Sequence, residues 1–234
     1  MQTDLGIGRA LVVGTRDTGR CVIHALREVR VGVAAVDDDA SMLLGLPHEV
    51  EALHLVDARP LLARVDVVIV SRRTAELSSL LAAAVEADVP VWSEPEFAAR
   101  LRPDRRIVAI TGGDGSMAVT EQVIATLAAS GTPAVACGGM GMTMIEAALS
   151  PGDEMLVVHL TPFQLRYADR LRARVGALLA PEPQCLDLDG GFAAYGADKV
   201  QVWMGQNDED LAVAPVRDDS PYHPSNVATA EGAL

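Results

Sequence analysis

Ile107-Val108-Ala109-Ile110-Thr111-Gly112-Gly113-Asp114-Gly115-Ser116-Met117, followed by apolar residues at helical spacing over 119–129, is the stretch that decides the fold. A short β-branched apolar run is what a strand buried on both faces looks like. The glycines turn the chain, and Val123, Ile124 and Leu127 then fall on one face of a helix. Strand, Gly-rich turn and helix together form a place where helix N-terminal amides and the helix dipole favour an anion. Phosphate chemistry needs more, namely a Lys on the β/γ-phosphates and a Ser or Thr hydroxyl on magnesium. Here the Lys slot holds Ser116, the hydroxyl slot holds Met117, and Asp114 sets a negative charge where a phosphate would lie. Alone, the segment predicts a tight turn ahead of a helix.

The same rhythm extends in both directions. Upstream, residues 10–13 read as a buried strand ending at Gly14, then a turn over 15–19, a helix over 20–29 and a strand over 31–36 closed by Asp37-Asp38-Asp39. Strands over 65–70 and 89–92 flank a helix over 77–87, and residues 100–106, basic and interrupted by Pro103, read as a linker. Downstream, strands are expected over 134–136, 155–160 and 175–179, helices over 144–149 and 163–171, and a further strand starting over 201–204. From residue 218 on, Pro, Ser, Asn, Ala and Gly dominate and periodicity is lost, which predicts a flexible tail. Alternation of strand and helix gives an α/β chain with parallel sheets.

Composition narrows the partners. The 234 residues are half apolar, enough for two modest cores, and carry a formal net charge of −13. Such a chain repels phosphate backbones and anionic headgroups, so neither nucleic acid nor a membrane is an expected partner. No apolar run approaches the roughly 20 residues of a membrane span, and Met1-Gln2-Thr3-Asp4 lacks a signal-peptide start, so a cytoplasmic location is expected. Cys21, Cys137 and Cys185 are too far apart for paired-cysteine motifs and read as buried thiols. His24, His48, His54 and His223 sit in no partner pattern, and Met140, Met142 and Met144 read as flexible apolar packing. Lys199 is the single lysine beside 18 arginines.

Several segments, in order, resemble the Mur ligases, most of all the D-glutamate-adding members. Trp92-Ser93-Glu94-Pro95-Glu96-Phe97 is similar to the family's W-x-E-x-E-x, and the strand and turn that open the second half to its T-G-T-N-G-K-T-T-T. Ala136-Cys137-Gly138-Gly139-Met140-Gly141 resembles A-G-N-I-G, and Val157-Val158-His159-Leu160-Thr161-Pro162-Phe163-Gln164-Leu165 resembles V-L-E-L-S-S-F-Q-L. Pro183-Gln184-Cys185-Leu186-Asp187 stands where P-D-H-L-D is expected, and Ala194-Tyr195-Gly196-Ala197-Asp198-Lys199 matches A-Y-x-x-A-K. The resemblance runs from about residue 10 to about residue 217. It implies a Rossmann-like domain over 1–104, a truncated P-loop-type Mur ligase central domain over 105–217, a tail over 218–234, and no C-terminal ligase domain.

The departures from the family pattern fall on ATP and magnesium. Ser116 replaces the phosphate Lys, Met117 its Thr neighbour, His159 the magnesium-binding Glu, Cys185 the following His, and Gly139 an Asn. Lys199 is kept, at the position the family carbamylates to help hold a second magnesium; without a first metal it reads as a surface residue or a helix partner. No cofactor and no metal are expected. The leading expectation is a binding or accessory pseudoenzyme, self-associating or covered by a partner protein. One alternative is an ATP-independent enzyme of specialised metabolism using His159, Cys185, Asp187 or Lys199, the first three as a zinc cluster or a Cys–His pair. Another is a ligase completed by a partner chain. In the first half, Thr18 and Gly19 of the turn, with Arg16 and Arg20, are the candidates for a nucleotide-sugar diphosphate, Arg72 and Arg73 lying after the third strand; in the second half, Gly112, Gly115 and Ser116 are the remnant of the phosphate turn.

Overall fold

The computed structural model describes residues 5–71, 77–113, 115–139, 141–179 and 192–214. The chain divides into two units, Met1–Leu101 and Arg102–Leu234, each with its own sheet.

The first unit is built from β1 (Arg9–Val13), α1 (Asp17–Glu28), β2 (Gly32–Asp37), β3 (Glu51–His54), β4 (Val67–Val70), α2 (Leu77–Glu86), β5 (Val91–Ser93) and α3 (Glu94–Leu101). Its five strands are parallel, in the order β3-β2-β1-β4-β5. Central β1 and β4 are buried along almost their whole length, which is why both read as unbroken apolar runs. Val22, Ile23, Ala25 and Leu26 line the buried side of α1. Each such Val, Leu or Ile contributes roughly 1.5–3 kcal/mol when fully removed from water. Two elements of this unit go beyond the periodicity. β3 is a half-buried edge strand, and α3 is formed by the Glu94–Leu101 segment that the sequence showed only as a motif. Glu96 is fully buried in α3 because Arg100 pairs with it at 2.5 Å and lies 4.1 Å over the Trp92 ring.

The second unit comprises β6 (Ile107–Thr111), α4 (Ser116–Ala129), β7 (Ala134–Gly138), α5 (Met144–Leu149), β8 (Met155–His159), α6 (Pro162–Arg166), β9 (Val175–Leu178), α7 (Phe192–Val200) and β10 (Leu211–Val213). These strands too are parallel, in the order β10-β9-β6-β8-β7. The chain leaves β6 for β7 and β8 on one side, then crosses to β9 and β10 on the other. The carboxyl end of β6 therefore lies at the switch point of the sheet, where α/β proteins place ligands. Val108, Ile110, Val157 and Ala177 form the core under α4, whose Val119, Val123, Ile124 and Leu127 are only partly buried against it.

Three expectations are corrected here. Residues 201–203 form a 3-10 turn, and the extra strand comes later as β10. The helix expected over 163–171 ends at Arg166, a single capped turn with Thr161 and Gln164 exchanging hydrogen bonds. The boundary between the two units falls within the basic segment over 100–106 read as a linker, between Leu101 and Arg102. α3 runs through Leu101, and Arg105 is a buried strut donating to the carbonyls of Ser150, Gly152 and Glu154. Of the two readings of Lys199, surface residue or helix partner, the first is overturned: it is 1% exposed. The tail over 218–234 lies outside the described residues, and among the described residues no helix is long and apolar enough to cross a membrane.

Candidate functional site

Three strand ends meet at the Gly-rich turn. β6 delivers Thr111 and Gly112, β8 delivers His159, and β7, paired with β8 at Gly138–His159, delivers Gly138 and Gly139. α4 starts at Ser116, and its N-cap residue, Gly115, has no side chain with which to cap it. Ser116 is buried, and its hydroxyl lies 2.7 Å from Gly113 O and 2.9 Å from His159 Nε2. The Ser116 amide also donates to Gly113 O, at 3.0 Å.

A hydroxyl has one hydrogen, and a carbonyl only accepts. At 2.7 Å from Gly113 O, the Ser116 proton belongs to that bond. Nε2 of His159 is then the donor to Ser116 Oγ, which assigns the Nε2–H tautomer from the network and leaves Nδ1 with a bare lone pair. Nδ1 is buried and, among the described residues, has no hydrogen-bond partner. Burial, and to a lesser degree the Lys199 charge, hold the His159 pKa below its ordinary 6.5, so the ring is neutral near pH 7. A base that activates a serine must instead accept the hydroxyl proton and be oriented by a third group. Ser116–His159 does neither. It closes the turn on itself.

Both glycines beneath the imidazole follow from packing. Gly138 has φ 88°, and a β-carbon there would lie 2.5 Å from His159 O. Gly139 donates its amide to His159 O at 3.0 Å. A β-carbon on Gly139 would sit 3.2 Å from His159 Cε1 and nearer still to Nδ1. Gly112 is fixed the same way, its missing β-carbon facing Leu179 at 2.7 Å, whereas Gly115 faces open space.

Lys199 reaches the turn from α7. Its ammonium donates to Gly112 O at 2.7 Å and Thr111 Oγ1 at 3.3 Å, and lies 4.6 Å from the centre of the Tyr195 ring one helical turn earlier. The neighbouring Asp198 accepts Arg166 in bidentate fashion, Nε at 3.0 Å from each oxygen and a terminal nitrogen at 2.6 Å, which ties α7 to α6.

In the first unit, the turn after β1 also folds inward. Asp37, at the end of β2, is buried and accepts the Thr15 amide at 2.6 Å and the Thr15 hydroxyl at 3.0 Å. Burial opposes its ionisation, but the hydrogen bonds from Thr15 and Asp39 together hold its pKa below the ordinary carboxylate value. Gly19 is a packing glycine, its missing β-carbon 2.8 Å from the Gly14 carbonyl carbon. Arg20 is engaged with the carbonyls of Met42 and Leu44, at 3.0 and 2.8 Å. Arg16 is exposed and Thr18 half-buried at the start of α1.

Of the residues expected from sequence, the structure brings together His159, Ser116, Gly112 and Lys199 around one turn, with Gly115 on its open side. Cys185, Asp187, Asp114, Met140, Arg72 and Arg73 lie outside the described residues. Cys137 is buried in β7. Among the described residues, no cluster of three His, Cys, Asp or Glu side chains is placed to hold a metal ion. Sequence reasoning missed Thr111, Gly113 and Tyr195 as partners of the turn. Tyr195, four residues before Lys199, was the one with a detectable signal.

No family model matches the chain. The UDP-N-acetylmuramoylalanine–D-glutamate ligase of Mycolicibacterium smegmatis is 34% identical over 233 residues, covering 97% of this chain and 46% of that protein. The enzyme of the same name from Mycolicibacterium vanbaalenii is 34% identical over 203 residues, covering 84% and 42%. The chain thus spans a little under half the length of these curated relatives. Among solved structures, the UDP-N-acetylmuramate:L-alanyl-gamma-D-glutamyl-meso-diaminopimelate ligase of Neisseria meningitides matches with a TM-score of 0.53 at 11% identity, over 95% of this chain and 75% of that one. That likeness is one of fold.

Proposed function

We propose that this chain, a homologue of the Mur ligases over part of their length, works by binding and not by ATP-dependent ligation. The observation that carries this reading is the Ser116–His159 hydrogen bond at 2.9 Å, in the turn where the family places its phosphate Lys and beside the strand end where it places its magnesium-binding Glu. ATP and magnesium do not fit the residues present. Magnesium is a hard cation that demands oxygen ligands in near-octahedral array, and here the strand end offers an imidazole already donating to Ser116. The phosphates need a Lys at the turn, and the single lysine, Lys199, already donates to Gly112 O and Thr111 Oγ1. Acyl-phosphate chemistry relies on metal and Lys to meet developing charge, so no ligase step is assigned to these side chains.

On this reading the chain is a binding or accessory protein. Its remaining ligand site is the turn after β1, where Arg16 and the uncapped start of α1 face a nucleotide sugar of the kind the relatives' names specify. Self-association covers exposed apolar positions such as Leu211 and Val213 on the edge strand β10. The test is an assay of phosphate release with UDP-N-acetylmuramoylalanine, D-glutamate and ATP–Mg²⁺, run beside a thermal-shift titration with the nucleotide sugar alone. Absent turnover with a rise in Tm on adding the nucleotide sugar supports the reading. Substrate-dependent phosphate release sinks it.

A further inference from the structure

Resting on the reading that this turn no longer takes ATP, we propose that Gly139 and His159 are one coupled specificity device, the glycine admitting the imidazole and the imidazole holding the turn closed against metal–polyphosphate ligands. The coupling is steric. Gly139 carries no left-handed φ, so its backbone accepts any L-residue; the His159 ring is the obstacle to a side chain there. An alanine β-carbon would lie 3.3 Å from Cγ, 3.2 Å from Cε1 and nearer still to Nδ1. These are ring atoms close to the strand backbone, and the ring cannot yield without leaving Ser116. His159 in this position and a side chain at 139 therefore exclude each other.

The consequence reaches the turn through Ser116. With the imidazole in place, Ser116 Oγ has Gly113 O and His159 Nε2 as neighbours, at 2.7 and 2.9 Å, which ties the start of α4 to the turn and to the end of β8. His159 acts here as a positioning residue; it touches no reacting atom. The family's Asn and Glu at positions 139 and 159 pair a side chain with a metal ligand, and this chain has exchanged both. Restoring either alone breaks the set: a side chain at 139 expels the ring, and a carboxylate at 159 faces Ser116 without the Nε2–H donor.

The test is a cycle of Gly139→Ala, His159→Ala and the double variant in the full chain. Tm is read for each, with the imidazole ¹⁵N spectrum for wild type and Gly139→Ala, His159 being assigned by its loss in His159→Ala. Wild type is expected to show one Nε2–H imidazole with slowed proton exchange. Gly139→Ala loses that signal and lowers Tm by about 3–8 °C. In the His159→Ala background the same change moves Tm by no more than about 1 °C, because the obstacle is gone. An equal Tm loss in both backgrounds, or an imidazole signal unchanged in Gly139→Ala, overturns the proposal. ATP–Mg²⁺ binding by the wild type, measured separately, bears on the parent reading and leaves the cycle's outcome legible by itself.

Discussion

Replacing Gly19 with alanine separates two roles for the turn after β1. If the glycine exists to let a ligand approach, the variant folds normally and loses only affinity. The structure predicts otherwise. The new β-carbon would stand 2.8 Å from the Gly14 carbonyl carbon, nearer still to its oxygen, and 3.3 Å from Ser71 Oγ. None of these neighbours can retreat cheaply. Gly14 is held at φ 85° and donates to Val36 O at 2.9 Å, and Ser71 Oγ lies 2.9 Å from Val13 O and 2.8 Å from Gly14 O. Overpacking against backbone costs about 3 kcal/mol, offset by at most about 1 kcal/mol of helix propensity gained from Gly to Ala. The net loss is about 2 kcal/mol, which for a unit of this size lowers Tm by about 8 °C or more. The assay is urea unfolding followed by Trp92 fluorescence in a Trp203→Phe background, since one tryptophan lies in each unit and Trp92 is buried. An unchanged midpoint would refute the packing account, most clearly if nucleotide-sugar binding were weakened at the same time.

Two further perturbations test the second unit. His159 has a folded pKa below its ordinary 6.5, so the unfolded chain takes up the proton first. Its contribution to stability is complete above about pH 7, is lost as pH falls through the unfolded value, and levels off below the folded one. Wild type should lose stability over that window relative to His159→Gln, measured by urea midpoints; parallel profiles would contradict the assigned neutral ring. Arg166→Ala leaves the nearly buried Asp198 carboxylate without its bidentate partner. Because the Arg166 side chain is itself 32% exposed, the expected loss is moderated by solvent to about 1–2 kcal/mol. Chemical denaturation at fixed m-value reads it, and a change under about 0.3 kcal/mol would show the pair to be decorative.

The parts of the fold that were legible from sequence are those where one physical pattern acts alone. β1, β4, β6 and β8 are central parallel strands, buried on both faces, so they appear as apolar runs whatever their neighbours. α4 was found by its spacing, though its start was placed three residues late because Ser116 and Met117 carry no capping signal. The edge strands β3 and β10 were missed since they are short and half-exposed, with burial decided by partners far away in sequence. α3 and α7 are short and carry Pro95 and Gly196 within their spans, which weakens the helical signal of each. At the site, the exchanges at 116, 139 and 159 were visible as departures from the family's segments. Their meaning was not, since nothing in the sequence says that the 159 ring lies over Gly139 and donates to Ser116. Lys199 is the clearest case. The lone lysine of an arginine-rich chain stood out as a candidate, but only the fold shows its ammonium turned into the carbonyl of Gly112.

Isothermal titration of ATP–Mg²⁺ into the purified 234-residue chain is the most direct test of the central claim. A closed turn with Ser116 bound to Gly113 O and His159 predicts no saturable heat at millimolar nucleotide, and no rise in Tm under the same conditions. A stoichiometric isotherm would contradict it, and at a ligand concentration of about 100 times Kd it would be accompanied by about 2.7 kcal/mol of added stability.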